Sequence, residues 1–201
     1  MADARKESTG SEHVAAFFRT DDFLRGRVAA FAAEGLAAGE QVILLATHEH
    51  AEIVTARLDE TALSVRRAVD ENRLLLLDAN QVLDGITMDG VTSVNGFRAA
   101  LGRFIEPAVR QRVYGELVSL LVQRGEVAAA LEIERLGHEL AHARNVAVLC
   151  GYDGGADLVL RPADIVSIEA AHDRSLSEGG TVAARQRRAS AEIAAGVPPP
   201  S

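Results

Sequence analysis

Short apolar runs alternate along this chain with longer stretches in which apolar residues return every three or four positions. Five runs, at residues 13–18, 41–47, 73–79, 112–115 and 145–152, predict strands. In two of them, Val42-Ile43-Leu44-Leu45 and Leu74-Leu75-Leu76-Leu77, the apolar residues are continuous rather than alternating. That pattern belongs to strands of a parallel sheet covered on both faces. The expected fold class is therefore α/β in three layers, a mostly parallel central sheet of about five or more strands with helices on both faces.

The stretches between the runs carry helical spacing. Leu24, Val28 and Phe31 follow the capping candidates Thr20 and Asp21, and Gly35 is placed to end that helix. A shorter helix is expected over residues 50–58, and Leu63 and Val65 suggest a small extra strand. Val94, Phe97, Leu101, Phe104, Ile105 and Ala108 predict an amphipathic helix over residues 93–110, its last turn kinked or shortened by Pro107. Residues 117–123 read as helical, Gly125 interrupts, and Ile133, Leu136 and Leu140 form a second amphipathic stretch. A last helix opens near Pro162 and carries Ile165 and Ile168. The domain reading is one folded unit over residues 12–176, with a disordered N-terminus at 1–11. A peripheral or disordered tail, rich in Ser, Gly, Ala and proline, is expected at 177–201.

Composition narrows the function classes. The 201 residues suffice for one well-buried core. A net charge of −8, from 29 acidic against 21 basic side chains, opposes a nucleic-acid backbone, and no direct nucleic-acid binding is expected. The basic cluster Arg185, Arg187 and Arg188 reads as a solvated helix face that could dock a partner. A single cysteine, Cys150, excludes an intramolecular disulfide, offers no metal-ligand spacing and fits a reducing compartment. Residues 1–11 lack the apolar stretch of a signal peptide, and no run approaches the roughly 20 residues of a membrane span. The expected localisation is cytoplasmic, without membrane contact.

The loop after the first strand reads Phe18-Arg19-Thr20-Asp21-Asp22-Phe23. Phosphate-binding loops at this position need glycines and a lysine, so that amides and an ammonium surround the phosphates. Here there is neither, and two carboxylates oppose an anion. Nucleotide hydrolysis is not expected, and a dinucleotide-binding glycine fingerprint is equally absent. No Ser-His-Asp or Cys-His order recommends a hydrolase, so the expectation is a non-enzyme with no cofactor, no catalytic residue and no metal site.

A succession of short motifs carries a family resemblance. It runs from His13-Val14-Ala15-Ala16-Phe17-Phe18 through Gly35-Leu36, Gly39-Glu40 and residues 47–50. It continues with Leu77-Asp78-Ala79, Tyr114-Gly115-Glu116-Leu117-Val118, Ala130-Leu131-Glu132-Ile133-Glu134, Leu149-Cys150-Gly151-Tyr152 and Ala171-His172. In order and chemistry this resembles the MEDS domain, the methanogen and methylotroph DcmR-type sensory domain, over roughly residues 12–176. Asp153 stands where that family often has proline, and Phe18 where tyrosine is common. The resemblance implies a RecA- or KaiC-like fold without ATPase motifs, and signal sensing beside histidine kinases, anti-sigma systems or transcription factors. Its effector would then be a separate protein.

In parallel α/β sheets, ligands bind outside the carboxyl ends of the strands. The ligand-binding candidates are accordingly Thr20, Asp21, His48, Asp78, Tyr114, Glu116 and Tyr152. Glu116 and Asp78 end buried strands, where a carboxylate must be solvated, hydrogen-bonded or paired. Each could instead be structural, Asp78 as the cap of the following helix. Tyr152 is expected to point into the crevice. His48 and His50 lack a third partner at metal spacing, which favours a solvated helix start. His13 is expected near the opposite edge in a structural hydrogen bond, Glu134 paired with an arginine or capping a loop, and Cys150 as an inert small hydrophobe. The functional expectation is a stand-alone sensory or regulatory domain binding a small ligand or a partner protein, with homodimerisation open. The alternatives are an interaction scaffold without a ligand and, third, a carboxylate-based enzyme.

Overall fold

The five apolar runs become strands, and one further strand that the pattern hid completes the sheet. The computed structural model describes residues 11–61, 63–106, 108–154 and 161–178. The expected terminal disorder at 1–10, the Pro107 kink and the arginine cluster at 185–188 lie outside the described residues. The chain opens with β1 (His13–Phe18), α1 (Asp21–Phe23), a π-helical segment (Leu24–Val28), α2 (Ala29–Ala37) and β2 (Gln41–Ala46). Then come α3 (His48–Asp59), α4 (Val65–Asp70), β3 (Leu74–Asp78), α5 (Ala79–Ile86) and a hairpin of β4 (Thr87–Met88) and β5 (Val91–Thr92). The rest is α6 (Val94–Leu101), β6 (Gln111–Gly115), α7 (Leu117–Gln123), α8 (Val127–Arg144), β7 (Ala147–Asp153), α9 (Pro162–Ala170) and β8 (Arg174–Ser177).

The six-stranded sheet has the order β3-β2-β6-β7-β1-β8, and every neighbouring pair is parallel. Register explains the two cores. Ile43 aligns with Val113, and Val113 with Val148; these face the helices α5 to α9 with Ala15, Cys150 and Tyr152. One residue on, Leu44, Tyr114 and Leu149 align and face the opposite way, toward α2 and α3, with Val14, Ala16 and Phe18. This is the three-layer α/β architecture, with both faces of the central strands buried.

Several local expectations change. Gly35 does not end its helix: α2 runs to Ala37, and Gly39, at φ +75°, makes the turn. A Cβ at Gly35 would stand 2.8 Å from Arg112 Cδ, so this glycine serves close packing. Arg112 is buried there against Glu40 and Glu34, tying β6 to α2. Val65 starts a helix rather than a strand, capped by Ser64. The expected helix over 93–110 stops at Leu101, where Gly102 follows. The Leu74–Leu77 run forms an edge strand, β3, in which Leu76 is 44% exposed, so its continuity does not mark a strand covered on both faces. β8 extends the folded unit past residue 176 and covers β1, hydrogen-bonding along Val14–Phe17.

Candidate functional site

The carboxyl ends of β2, β6 and β7 border a cleft of about 370 Å³, its walls including Thr47, His50, Glu116, Ser119 and Asp153. Glu116 is built into it by the sheet: its backbone N–H extends the β2–β6 ladder to Leu45 O, bringing the carboxylate over the end of β2. Only 2% of the residue is exposed. The Tyr114 hydroxyl donates to Oε1 at 2.6 Å, the Thr47 backbone N–H to Oε2 at 2.9 Å, and His50 Nδ1 lies 2.8 Å from Oε1. These contacts supply what a buried carboxylate needs. Thr47 also caps α3, accepting from the His50 N–H, which fixes the histidine at the first turn. Burial alone would lower the His50 pKa, but the hydrogen bond to Glu116 and its charge, aided by Asp153 and Glu49, raise it. Burial, then the neighbouring Glu116 charge, push the Tyr114 hydroxyl well up, so it stays a donor.

Of the seven residues singled out from sequence, the cleft gathers Glu116 and His48, with Tyr114 beneath Glu116. His48 is largely exposed and pairs with Glu52 one helical turn on. Asp78 is turned to the helix: its side chain accepts from the N–H groups of Asn80 and Gln81 and caps α5. Thr20 and Asp21 are exposed at the end of β1. There the Arg19 N–H donates to Glu178 at 2.8 Å and the Thr20 hydroxyl donates to the same carboxylate. Tyr152 does not point into the crevice. It lies fully buried on the other face, its hydroxyl donating to Glu134 Oε1, because residues 148, 150 and 152 all face α8.

That face holds a second constellation. His13, Glu134, Cys150 and His172 are all buried, and one donor atom from each lies within 4.8 Å of the other three. His13 Nε2 is 3.0 Å from Glu134 Oε2 and 3.3 Å from Cys150 Sγ; the thiol is 3.3 Å, and His172 Nε2 3.1 Å, from the same Oε2. Burial would raise the Glu134 pKa, but His13 and His172 hold it well below the carboxylate range. Burial, then Glu134, push the Cys150 thiol well up. Glu134 is thus paired with histidines, not with an arginine, and Cys150 is a polar participant rather than an isolated hydrophobe. An apolar cavity of about 40 Å³, lined by Phe97, Leu101, Val118 and Leu140 among others, touches both Glu134 and Cys150.

Both constellations lie within one stretch that matches the sequence profile of the methanogen/methylotroph, DcmR sensory domain, residues 12–173. The chain belongs to the MEDS family. No curated protein matches it. Among solved structures, an uncharacterized protein from Pyrococcus horikoshii, in complex with an unknown peptide, is similar with a TM-score of 0.52 and 13% identity. The match covers 85% of this chain and 78% of the other, and at that identity it speaks for the fold alone. No helix among the described residues of this MEDS domain is long and apolar enough to cross a membrane.

Sequence reasoning passed over Thr47, Ser119 and Asp153 in the cleft. The His50–Glu116 pairing had one signal, a strand end followed by a Thr-capped helix. The four buried groups on the other face gave none, since they come from β1, α8, β7 and the turn after α9.

Proposed function

We propose that this MEDS domain is a sensory module that binds a small polar molecule, without a phosphate group, in the cleft formed by Thr47, His50, Glu116, Ser119 and Asp153. The observation that carries the reading is Glu116: a buried carboxylate held on three sides by Tyr114, Thr47 and His50 at the carboxyl edge of a parallel sheet. Such pre-organisation suits recognition. The position after β1, where phosphate-binding folds place their loop, supports the non-nucleotide part: its donors on Arg19 and Thr20 face the Glu178 carboxylate. A ligand here contacts α3 through His50 and α7 through Ser119, so it biases their spacing by its different affinity for two arrangements. An effector protein, a kinase, anti-sigma factor or transcription factor, reads that change.

The test is calorimetric titration with a panel of small alcohols, amides and amines, with ATP and Mg²⁺ as comparison. Glu116→Gln weakens the responding compound at least about tenfold, the loss of one charged hydrogen-bonding group, while Asp78→Ala leaves its affinity unchanged. Micromolar Mg²⁺-dependent ATP binding, or equal effects of the two variants, contradicts the reading.

A further inference from the structure

We infer that His13, Glu134, Cys150 and His172 form a four-coordinate site for a borderline-soft divalent metal of the zinc class, on the face of the sheet opposite α2 and α3. It is separate from the cleft and does not depend on it.

The first argument is distance. Four donors bound about 2.0–2.3 Å from a tetrahedral zinc stand about 3.3–3.8 Å apart. The four short contacts here are 3.0, 3.1, 3.3 and 3.3 Å, so small side-chain shifts suffice.

The second is the direction of the protons. His172 Nδ1 is 2.6 Å from Ile168 O and His13 Nδ1 3.2 Å from Ala171 O. A carbonyl accepts, so both Nδ1 atoms carry a hydrogen, and Nε2 is the ring atom each histidine turns toward the centre, free to bind a metal once any proton on it is released. Metal-bound histidines are oriented in this way by carbonyl partners. Glu134 is oriented likewise: Tyr152 donates to Oε1, leaving Oε2 facing both Nε2 atoms and the sulfur. Two imidazole nitrogens and the thiol thus converge on a single carboxylate oxygen. His172 Nε2 is fully buried and has no hydrogen-bond partner, although it lies 3.1 Å from that oxygen.

The third is charge. Glutamate and thiolate together balance one divalent cation while the imidazoles stay neutral, leaving no net charge in a buried space. Nitrogen and thiolate donors select zinc or a neighbouring first-row metal; calcium and magnesium require oxygen shells. A bound ion fastens β1, α8, β7 and the turn that leads into β8.

The full chain, stripped by chelator, is titrated with Co²⁺ and then Zn²⁺. The expected result is one equivalent bound, with a near-ultraviolet thiolate-to-cobalt band that Zn²⁺ displaces. Because the chain has one cysteine, that band reports Cys150. Cys150→Ser abolishes it; Glu134→Gln and His172→Ala weaken binding at least about tenfold. His142→Ala leaves it intact, which separates the site from the neighbouring group of His138, His142 and Asp173. The inference is overturned if the folded wild-type chain, checked by circular dichroism, shows no such band. It is overturned equally if the band survives Cys150→Ser or is lost in His142→Ala. The wild-type titration decides even if a variant fails to fold.

Discussion

The Tyr114 hydroxyl donates a 2.6 Å hydrogen bond to the carboxylate of Glu116, two residues further on, linking the floor of one core to the wall of the cleft. Tyr114 is itself 0% exposed, so its hydroxyl has no water to turn to. Tyr114→Phe is expected to lower stability by about 1–2 kcal/mol, and Glu116→Ala by about 2–3 kcal/mol, since the latter strands several donors. In urea unfolding the double variant should lose less than the sum, by at least about 0.5 kcal/mol. Additive losses would mean the two groups act independently.

His50 makes the cleft sensitive to pH. Its pKa is raised above the ordinary value of 6.5, with Glu116, Asp153 and Glu49 outweighing burial. A raised folded-state value means the stability it contributes is fully present below 6.5 and is lost as pH rises through the folded value. The stability gap between the wild type and His50→Gln should therefore shrink from 6.5 upward. Denaturant midpoints measured across that window check it; a gap that stays constant or grows contradicts the assignment.

Gly151 is held to its identity by Tyr114. A Cβ at position 151 would stand 2.9 Å from both Cε2 and Cζ of the tyrosine ring. The ring is locked in the core and cannot retreat without carrying the hydroxyl away from Glu116. Gly151→Ala should cost about 1–3 kcal/mol through overpacking. On a Tyr114→Leu background the same change should cost markedly less, and an equal penalty in thermal or urea unfolding would place the clash elsewhere.

How far the sequence foretold these features depends on which interactions each residue must satisfy. Ile43 and Leu44 announce β2 because one faces each core. Leu74 to Leu77 give the same signal in an edge strand, where Leu76 is exposed, so continuity of apolar residues overstates burial. In Arg174-Ser175-Leu176-Ser177 only Leu176 is apolar, and β8, bonded along one side, is recognised by its pairing with β1 rather than by its pattern. Glu116 was legible from its place after a buried run; its partner His50 required the register of β2 against β6. Tyr152 was misjudged because side chains alternate along a strand, and its parity with Cys150 sends it to the buried face. The grouping of His13 with Cys150 depends on pairing strands 137 residues apart, which no local spacing encodes.

The position of β1 has a temporal side. Both of its neighbours, β7 and β8, come from the last third of the chain, whereas β2 meets β3 within a few tens of residues. As the chain leaves the ribosome, β2 and β3 can pair early while β1, made before them, waits with its apolar residues uncovered. Closing β1 between β7 and β8 joins the most widely separated strands of the described sheet and so belongs to the slow, late part of folding. Of the sheet's strands, the one made before the others is thus among the last to be secured, and a chain arrested before Ala147 would leave it without either neighbour.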